Sequence, residues 1–195
     1  EDLITVIRDT PVVARHIHLP LQSGSDRILK RMNRHYTKEQ YIRLAEHIRE
    51  EIPDVSITTD IIVGFPGEEA QDVDDTLDVI ERVGFDNAYT FVYSPRRGTP
   101  AARMEGQVPP DIVREGFDRV LAAVQNSARE RAQALQGQVL EGLIEEVNPR
   151  KEGYVTARLS NNMIVHAPGD ASLIGTFRPI LLKECRGFYY FGELT

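Results

Sequence analysis

Polar residues able to bind a ligand follow apolar, strand-like runs at three places in the sequence, within residues 16–25, 58–68 and 89–100. Each run ends in a turn rich in glycine or proline, and sequence of helical periodicity follows the turn. In parallel α/β folds, ligands bind at the carboxyl ends of the strands. The three polar turns are therefore predicted to meet at one binding site.

Asp60 is the most informative of these residues because it interrupts a run otherwise made of isoleucine, valine and threonine. A buried carboxylate needs partners that replace its hydration. A ribose diol would satisfy it, and so would a structural hydroxyl. The residue types alone leave both interpretations open.

The glycine-rich turn at residues 64–68 raises the question of phosphate binding. No Gly-Lys-Ser/Thr follows it, and its spacing is not that of a dinucleotide fingerprint, so a strand-to-helix connection is the default interpretation. Glu68 is explained there by the dipole of the following helix.

His16 and His18 have the spacing of a metal pair on one strand face, but no third ligand is evident. A structural or substrate-lining role is favoured for both histidines.

Arg34 closes a basic cluster, residues 30–34, at the end of a short predicted helix. The default interpretation is a solvated cluster that stabilises the helix C-terminus. The alternative is that the planar guanidinium binds a carboxylate through two parallel hydrogen bonds.

Strands and helices alternate over the first two thirds of the chain, which predicts parallel strands with right-handed crossovers. Strands are expected near residues 16–20, 55–63 and 88–93. Helices are expected over 27–32, after the Thr37–Gln40 capping box, up to a C-cap at Gly84, and from about 110 to 135. Three such units do not close a barrel alone. The predicted fold is therefore α/β, the C-terminal half of a βα barrel.

The sequence pattern changes after Gly137, where short strand-like runs are separated by turn residues. Five strands, at about 139–147, 154–159, 163–166, 177–182 and 188–191, predict a small antiparallel barrel of the OB-like kind. The predicted domains are residues 1–132 and 133–195. Most of the aromatic side chains of the second domain are expected in its core, although base stacking is open to them.

The composition is that of an ordinary globular protein, with 195 residues, 41% hydrophobic residues and a formal net charge of −7. The acidic balance argues against a generally basic nucleic-acid-binding surface. No apolar stretch approaches the ~20 residues that span a bilayer, and no membrane association is expected. The single cysteine, Cys185, excludes an internal disulfide and favours a reducing, cytoplasmic compartment. A start on Glu1 predicts a chain that begins inside a larger protein.

Three blocks of the sequence resemble the radical S-adenosylmethionine methylthiotransferases: residues 16–34 with Tyr36 and Thr37, residues 60–68, and residues 93–101. The tail is similar to a TRAM domain, the small RNA-associated β-barrel of these enzymes. The patterns at 22–25, 162–166 and 192–194 resemble the branch that adds a methylthio group to isopentenylated adenosine beside the tRNA anticodon. The threonylcarbamoyladenosine-specific branch and the ribosomal-protein branch are the alternatives within the family.

The resemblance implies S-adenosylmethionine and two [4Fe–4S] clusters as cofactors, and tRNA and an electron-donor protein as partners. The family's C-x3-C-x2-C loop is absent from this chain, which is therefore expected to be inactive alone. It is expected to contain no catalytic residue and no metal ligand. A non-catalytic RNA-binding module is the alternative of a different class.

The resemblance also implies a set of cofactor-binding residues, namely Gln22, Ser23, Arg34, Asp60, Val63, Phe65 and Tyr93. Gln22 and Asp60 would contact the ribose hydroxyls, because an amide and a carboxylate suit a diol. Arg34 would hold the methionine carboxylate. Val63, Phe65 and Tyr93 would line the adenine through backbone and apolar contacts.

Overall fold

The computed structural model describes residues 2–195, and its elements follow the order that the sequence predicts. The helices are α1 (Asp2–Asp9), α2 (Asp26–Arg31), α3 (Lys38–Glu51), α4 (Ala70–Val83) and α5 (Pro110–Leu135). The strands are β1 (His16–His18), β2 (Ser56–Val63), β3 (Asn87–Val92), β4 (Val139–Val147), β5 (Tyr154–Leu159), β6 (Ile164–Pro168), β7 (Phe177–Cys185) and β8 (Tyr189–Leu194). Within the described part, no helix combines the length and the apolar character that crossing a membrane demands.

Two compact units divide the chain. The first takes in the sequence up to His16, the stretch Glu51–Ser56, and Ala128–Thr195. The second consists of Ile17–Glu50 and Ile57–Ser127. The domain limits 1–132 and 133–195 stay a prediction.

The second unit is built on a three-stranded sheet in the order β1-β2-β3, with β2 and β3 parallel. The helices begin and end where local signals predict. Thr37 and Gln40 exchange hydrogen bonds as a capping box at the start of α3, and Gly84 ends α4 in the left-handed conformation at φ 63°. A glycine adopts this conformation without the steric cost of a Cβ.

Strand β2 separates two faces of this sheet, because successive side chains of a strand point to opposite sides. Ile57, Thr59, Ile61 and Val63 are almost fully buried and belong to one face. The other face carries Asp60 and Ile62, which are only partly buried. The second face is therefore the one that can meet a ligand.

The first unit contains a closed barrel of five strands in the order β4-β5-β6-β8-β7. Its core is apolar and includes Ile144, Val155, Ile180, Leu182 and Tyr190. The predicted small barrel is confirmed, and its neighbouring strands pair antiparallel except for β6 and β8, which pair in parallel. Five strands in a closed ring cannot all alternate in direction, so at least one neighbouring pair must be parallel.

The prediction that most aromatic side chains of this barrel lie in its core is wrong. The sequence from 133 to 195 has six Phe and Tyr residues. Of these, Tyr190 alone is buried, while Phe177 is 63% and Phe188 64% exposed. The other three, Tyr154, Tyr189 and Phe191, are partly buried. The barrel core is filled instead by aliphatic side chains, which fit the narrow interior of a five-stranded ring.

Candidate functional site

Gln22 and Asp60 are joined through the backbone at the carboxyl end of β1. The Gln22 amide donates to the Asp60 carbonyl at 2.8 Å, and the Ile62 amide donates to the Gln22 carbonyl at 2.9 Å. Gln22 is 9% exposed and has a φ of 68°, in the left-handed region that non-glycine residues rarely occupy. Such strain persists where the surroundings determine it, and it is frequent at ligand sites. Two residues predicted to contact the same diol are therefore held in a fixed register.

The Asp60 carboxylate lies beside the imidazole of His18. His18 Nε2 is 3.4 Å from Asp60 Oδ2, and His18 Nδ1 is 3.0 Å from Thr58 Oγ1. The side chains of His18 and Asp60 are 38% and 31% exposed, so this pair faces solvent at the edge of the site. Sequence reasoning gave His18 only a general structural or lining role and missed its pairing with Asp60.

Strand β3 adds an apolar rim on the same face. Tyr89 is the register partner of Asp60, and Phe91 is the register partner of Ile62. The two aromatic residues are 54% and 51% exposed, although both are large and apolar in body. A carboxylate next to exposed rings suits a nucleoside, which presents hydroxyls on its sugar and a flat ring on its base.

Phe65 and Tyr93 form a second aromatic pair after β2 and β3. Their ring centroids are 5.2 Å apart in an edge-to-face arrangement, and the Tyr93 amide donates to the Val63 carbonyl at 2.8 Å. The phenol oxygen of Tyr93 is buried and has no hydrogen-bond partner among residues 2–195. A buried polar atom without a partner is rare in native structures. Its presence beside an aromatic ring fits the predicted adenine position.

Glu68 closes the glycine-rich turn rather than merely facing a helix dipole. Its carboxylate accepts the amide hydrogen of Gly64, whose φ is 82°. Burial is the largest influence and raises the pKa of Glu68 to about 7, against the smaller, opposite effect of the Gly64 amide. The expectation that the helix dipole alone explains Glu68 is therefore corrected. The sequence signal for this contact is the position of Glu68, an acidic residue four positions after Gly64.

The same turn is fixed from outside by two arginines of α2. Arg31 Nε donates to the Pro66 carbonyl at 2.9 Å, and Arg27 Nη2 donates to the Gly67 carbonyl at 2.8 Å. These arginines therefore have a structural function, which the basic cluster alone did not reveal. The hydrogen-bonding groups of the turn are thus largely used within the protein, which fixes the conformation of its backbone.

The side chains of Arg34 and Ser23 are not joined to the Gln22–Asp60 pair by any hydrogen bond among the described residues. Arg34 is exposed, its amide caps α2 on the Leu29 carbonyl at 2.8 Å, and its guanidinium has no ion-pair partner in the described range. No hydrogen bond or ion pair joins its side chain to Gln22 or Asp60 within that range. Ser23 is fully buried, and its hydroxyl accepts the Ser25 amide at 3.2 Å. Their predicted roles toward a cofactor stay predictions.

A cluster of rings covers part of the barrel surface in the first unit, and we call it the barrel aromatic face, formed by Tyr154, His166, Tyr189 and Phe191. Centroids of neighbouring rings lie 5.1–6.2 Å apart. Lys151 Nζ lies 3.7 Å from the Tyr154 centroid and 4.5 Å from that of Phe191. Partial burial lowers the pKa of His166, which disfavours the charged form of its ring. A hollow of about 460 Å³ adjoins this face at Lys151, Tyr154 and Phe191.

Metal ligation finds no support in the described residues, which contain no group of three or more His, Cys, Asp or Glu side chains able to hold an ion. Cys185 is the sole cysteine of the sequence, so the chain cannot itself provide three cysteine ligands to an iron–sulfur cluster.

Comparison with known proteins identifies both parts of the chain. Residues 1–80 match the Radical SAM superfamily, and residues 133–195 match the TRAM domain. The chain is 49% identical over 193 residues to the tRNA-2-methylthio-N(6)-dimethylallyladenosine synthase of Lachnoclostridium phytofermentans. It is 52% identical over 195 residues to the protein of the same name from Acetivibrio thermocellus. These matches cover 99% and 100% of this chain but only 42% and 41% of the relatives, so the chain spans about two fifths of their length.

Among solved structures, coproporphyrinogen III oxidase of Escherichia coli, a radical SAM enzyme, matches with a TM-score of 0.56 and 15% identity. The match covers 92% of this chain and 43% of the other. At this level of identity the likeness concerns the fold, and it supports the predicted radical SAM barrel half.

Proposed function

We propose that the chain is part of a tRNA methylthiotransferase of the radical SAM superfamily that carries a TRAM domain, since residues 1–80 match that superfamily and residues 133–195 match that domain. The substrate position is C2 of isopentenylated adenosine next to the anticodon. The observation that carries the proposal is the identity of 49–52% to synthases of this name along essentially the whole chain. A tRNA substrate, an electron-donor protein and a cytoplasmic location belong to the same proposal.

The residues of the second unit fit S-adenosylmethionine. The Asp60 carboxylate is partly exposed, the Gln22 amide donates to the Asp60 carbonyl, and the Tyr93 phenol is buried without a hydrogen-bond partner among residues 2–195. Gln22 and Asp60 would receive the ribose hydroxyls, and Phe65 with Tyr93 would pack on the adenine. When bound, this cofactor supplies the radical chemistry of the superfamily. The chain's own residues bind and orient it and exclude water from the adenine.

Arg34 completes the proposed site at its methionine end. Tyr36, two residues on, donates from its hydroxyl to the Leu21 carbonyl at 2.9 Å. The segment that carries Arg34 is thus anchored next to Gln22. A free guanidinium on an anchored segment is suited to bind a carboxylate bidentately.

Asp60→Asn in the full-length protein tests the site. Asparagine keeps the shape but replaces one acceptor oxygen by a donor, so S-adenosylmethionine binding should weaken about tenfold, since a hydrogen bond to a charged group contributes about 1.5–3 kcal/mol. Equilibrium dialysis on the reconstituted protein measures this. Asp54→Asn, an exposed carboxylate outside the site, is the matched control. Equal affinities for the Asp60 variant and wild type would refute this placement of the cofactor.

The barrel aromatic face is the proposed contact surface for tRNA. Its rings offer stacking platforms to unpaired bases, and Lys151 adds a cation that no described carboxylate neutralises. The net charge of −7 argues against binding through phosphates alone. Stacking is therefore expected to contribute more than charge.

Phe191→Ala tests this surface, with Phe177→Ala as its control, because Phe177 is 63% exposed on β7 and makes no ring contact with the barrel aromatic face. Loss of one stacked base costs about 1–3 kcal/mol, which corresponds to a rise in Kd of roughly 5- to 150-fold. Filter binding of an isopentenylated anticodon stem-loop measures it. If both alanine variants bind RNA equally well, the surface lies elsewhere.

Offering threonylcarbamoylated RNA to the same enzyme tests the alternative substrate.

A further inference from the structure

His18 lies beside the Asp60 carboxylate, and we propose that it is a positioning residue that orients this carboxylate toward the ribose diol of S-adenosylmethionine. The proposal rests on the proposed function for the identity of the ligand. Its own content is the coupling between His18 and Asp60, which neither the superfamily match nor the curated names assign.

The first argument is that Asp60 has no other side chain to orient it. Among residues 2–195, His18 is the sole side chain in ion-pair or hydrogen-bond range of the carboxylate, with Nε2 at 3.4 Å from Oδ2. A carboxylate accepts several hydrogen bonds through its two oxygens. With Oδ2 directed at His18, Oδ1 stays available to a pair of hydroxyls.

The second argument is that the imidazole itself is fixed. His18 Nδ1 lies 3.0 Å from the hydroxyl of Thr58, which is 7% exposed, and the Tyr89 ring meets the imidazole edge-to-face at 6.1 Å. Nδ1 faces the Thr58 hydroxyl, and Nε2, the other ring nitrogen, faces Asp60 Oδ2 at 3.4 Å. The imidazole is therefore oriented with one nitrogen toward each partner.

The third argument is that the backbones of the two residues are held in register. The Leu19 amide donates to the Thr58 carbonyl at 2.8 Å, and the Gln22 amide donates to the Asp60 carbonyl at the same distance. The Tyr41 hydroxyl donates to the Leu19 carbonyl at 2.6 Å. His18 is thereby flanked by fixed residues, and its donor is preorganised rather than recruited on binding.

The experiment compares three substitutions at one position in the reconstituted full-length protein. In His18→Gln the side-chain amide nitrogen takes the place of Nε2 and keeps a donor toward Asp60. In His18→Asn it takes the place of Nδ1, so the contact with Thr58 remains and the one with Asp60 is lost. His18→Ala removes both contacts. Circular dichroism verifies that each variant is folded.

The readout is the Kd for S-adenosylmethionine and for the analogue that lacks the ribose 2′-hydroxyl. We expect His18→Asn and His18→Ala to weaken S-adenosylmethionine binding about tenfold and His18→Gln at most about threefold. The analogue should respond less, because it lacks half of the diol that Asp60 receives. A merely space-filling histidine would affect both ligands equally and would not distinguish Gln from Asn.

A double-mutant cycle separates the possible failures. His18→Ala should have little further effect in the Asp60→Asn protein but its full effect in the Arg34→Gln protein. Additive effects of His18→Ala and Asp60→Asn would overturn the inference while leaving the proposed function intact. If Asp60→Asn binds as tightly as wild type, or if wild type does not bind the cofactor, the proposed site fails and this inference fails with it.

Discussion

Glu68→Gln should remove a pH dependence of stability that one carboxyl group creates. Burial raises the pKa of Glu68 from its ordinary value of 4.5 to about 7. Between these values the folded state keeps a proton that the unfolded state has lost, so the free energy of unfolding falls as pH rises. The gap of about 2.5 pH units, at about 1.36 kcal/mol for each, corresponds to about 3 kcal/mol. The stabilisation is fully present below pH 4.5 and lost above pH 7.

Urea unfolding followed by circular dichroism, at intervals from pH 4.5 to pH 8, measures this effect. Other carboxylates titrate in the same range, so the informative quantity is the difference between wild type and Glu68→Gln at each pH. Glutamine keeps the acceptor for the Gly64 amide, and the variant should lose about 3 kcal/mol less than wild type across the interval. Glu81→Gln, an exposed change on α4, is the charge-matched control. Parallel profiles of wild type and Glu68→Gln would refute the argument that Glu68 is buried at a cost.

Two further tests probe the packing, one in each unit. Tyr190→Phe removes the hydroxyl that donates to the Ala132 carbonyl at 2.6 Å in the barrel core. Urea unfolding should show that the free energy of unfolding falls by about 1–2 kcal/mol. An unchanged urea midpoint would mean that this hydrogen bond does not stabilise the fold. Gly24→Ala places a Cβ against the backbone of Thr76 and should prevent soluble expression. Its control is Gly98→Ala, in open space at φ +89°, which should lower the free energy of unfolding by only about 1 kcal/mol. Equal behaviour of the two variants in a solubility assay would contradict the close approach at Gly24.

Secondary structure could be predicted well from the sequence because its signals are local. The Thr37–Gln40 capping box and the left-handed cap at Gly84 lie where their residue types indicated. The β-branched run that forms β2 is a strand over Ser56–Val63, within a residue of the expected limits. In each case the physical cause lies within a few residues of its effect.

The barrel shows where local signals stop. Turn residues located its five strands, but the direction of each neighbour follows from closing the ring, which only the pairing of β6 with β8 reveals. The aromatic residues were misassigned for a related reason. Their types indicate large apolar surface, but whether Phe177 or Tyr190 turns inward depends on the register of β7 and β8.

The candidate site combines both situations. Asp60 was identifiable because a carboxylate in a β-branched run is costly unless it binds something. The role of His18 could not be identified from the sequence, because its side chain meets Asp60 only once β1 lies beside β2 in the sheet. Beyond β1 the pairing with β2 continues at Gln22, which forms a parallel bridge with Ile61 in a conformation that glutamine rarely adopts. A propensity argument assigns Gln22 no such role, since its strain is offset by the two backbone hydrogen bonds at 2.8 and 2.9 Å. Exceptions to local rules of this kind mark a position where the surrounding structure determines the conformation, and here they place an amide, a carboxylate and an imidazole on one edge of the sheet.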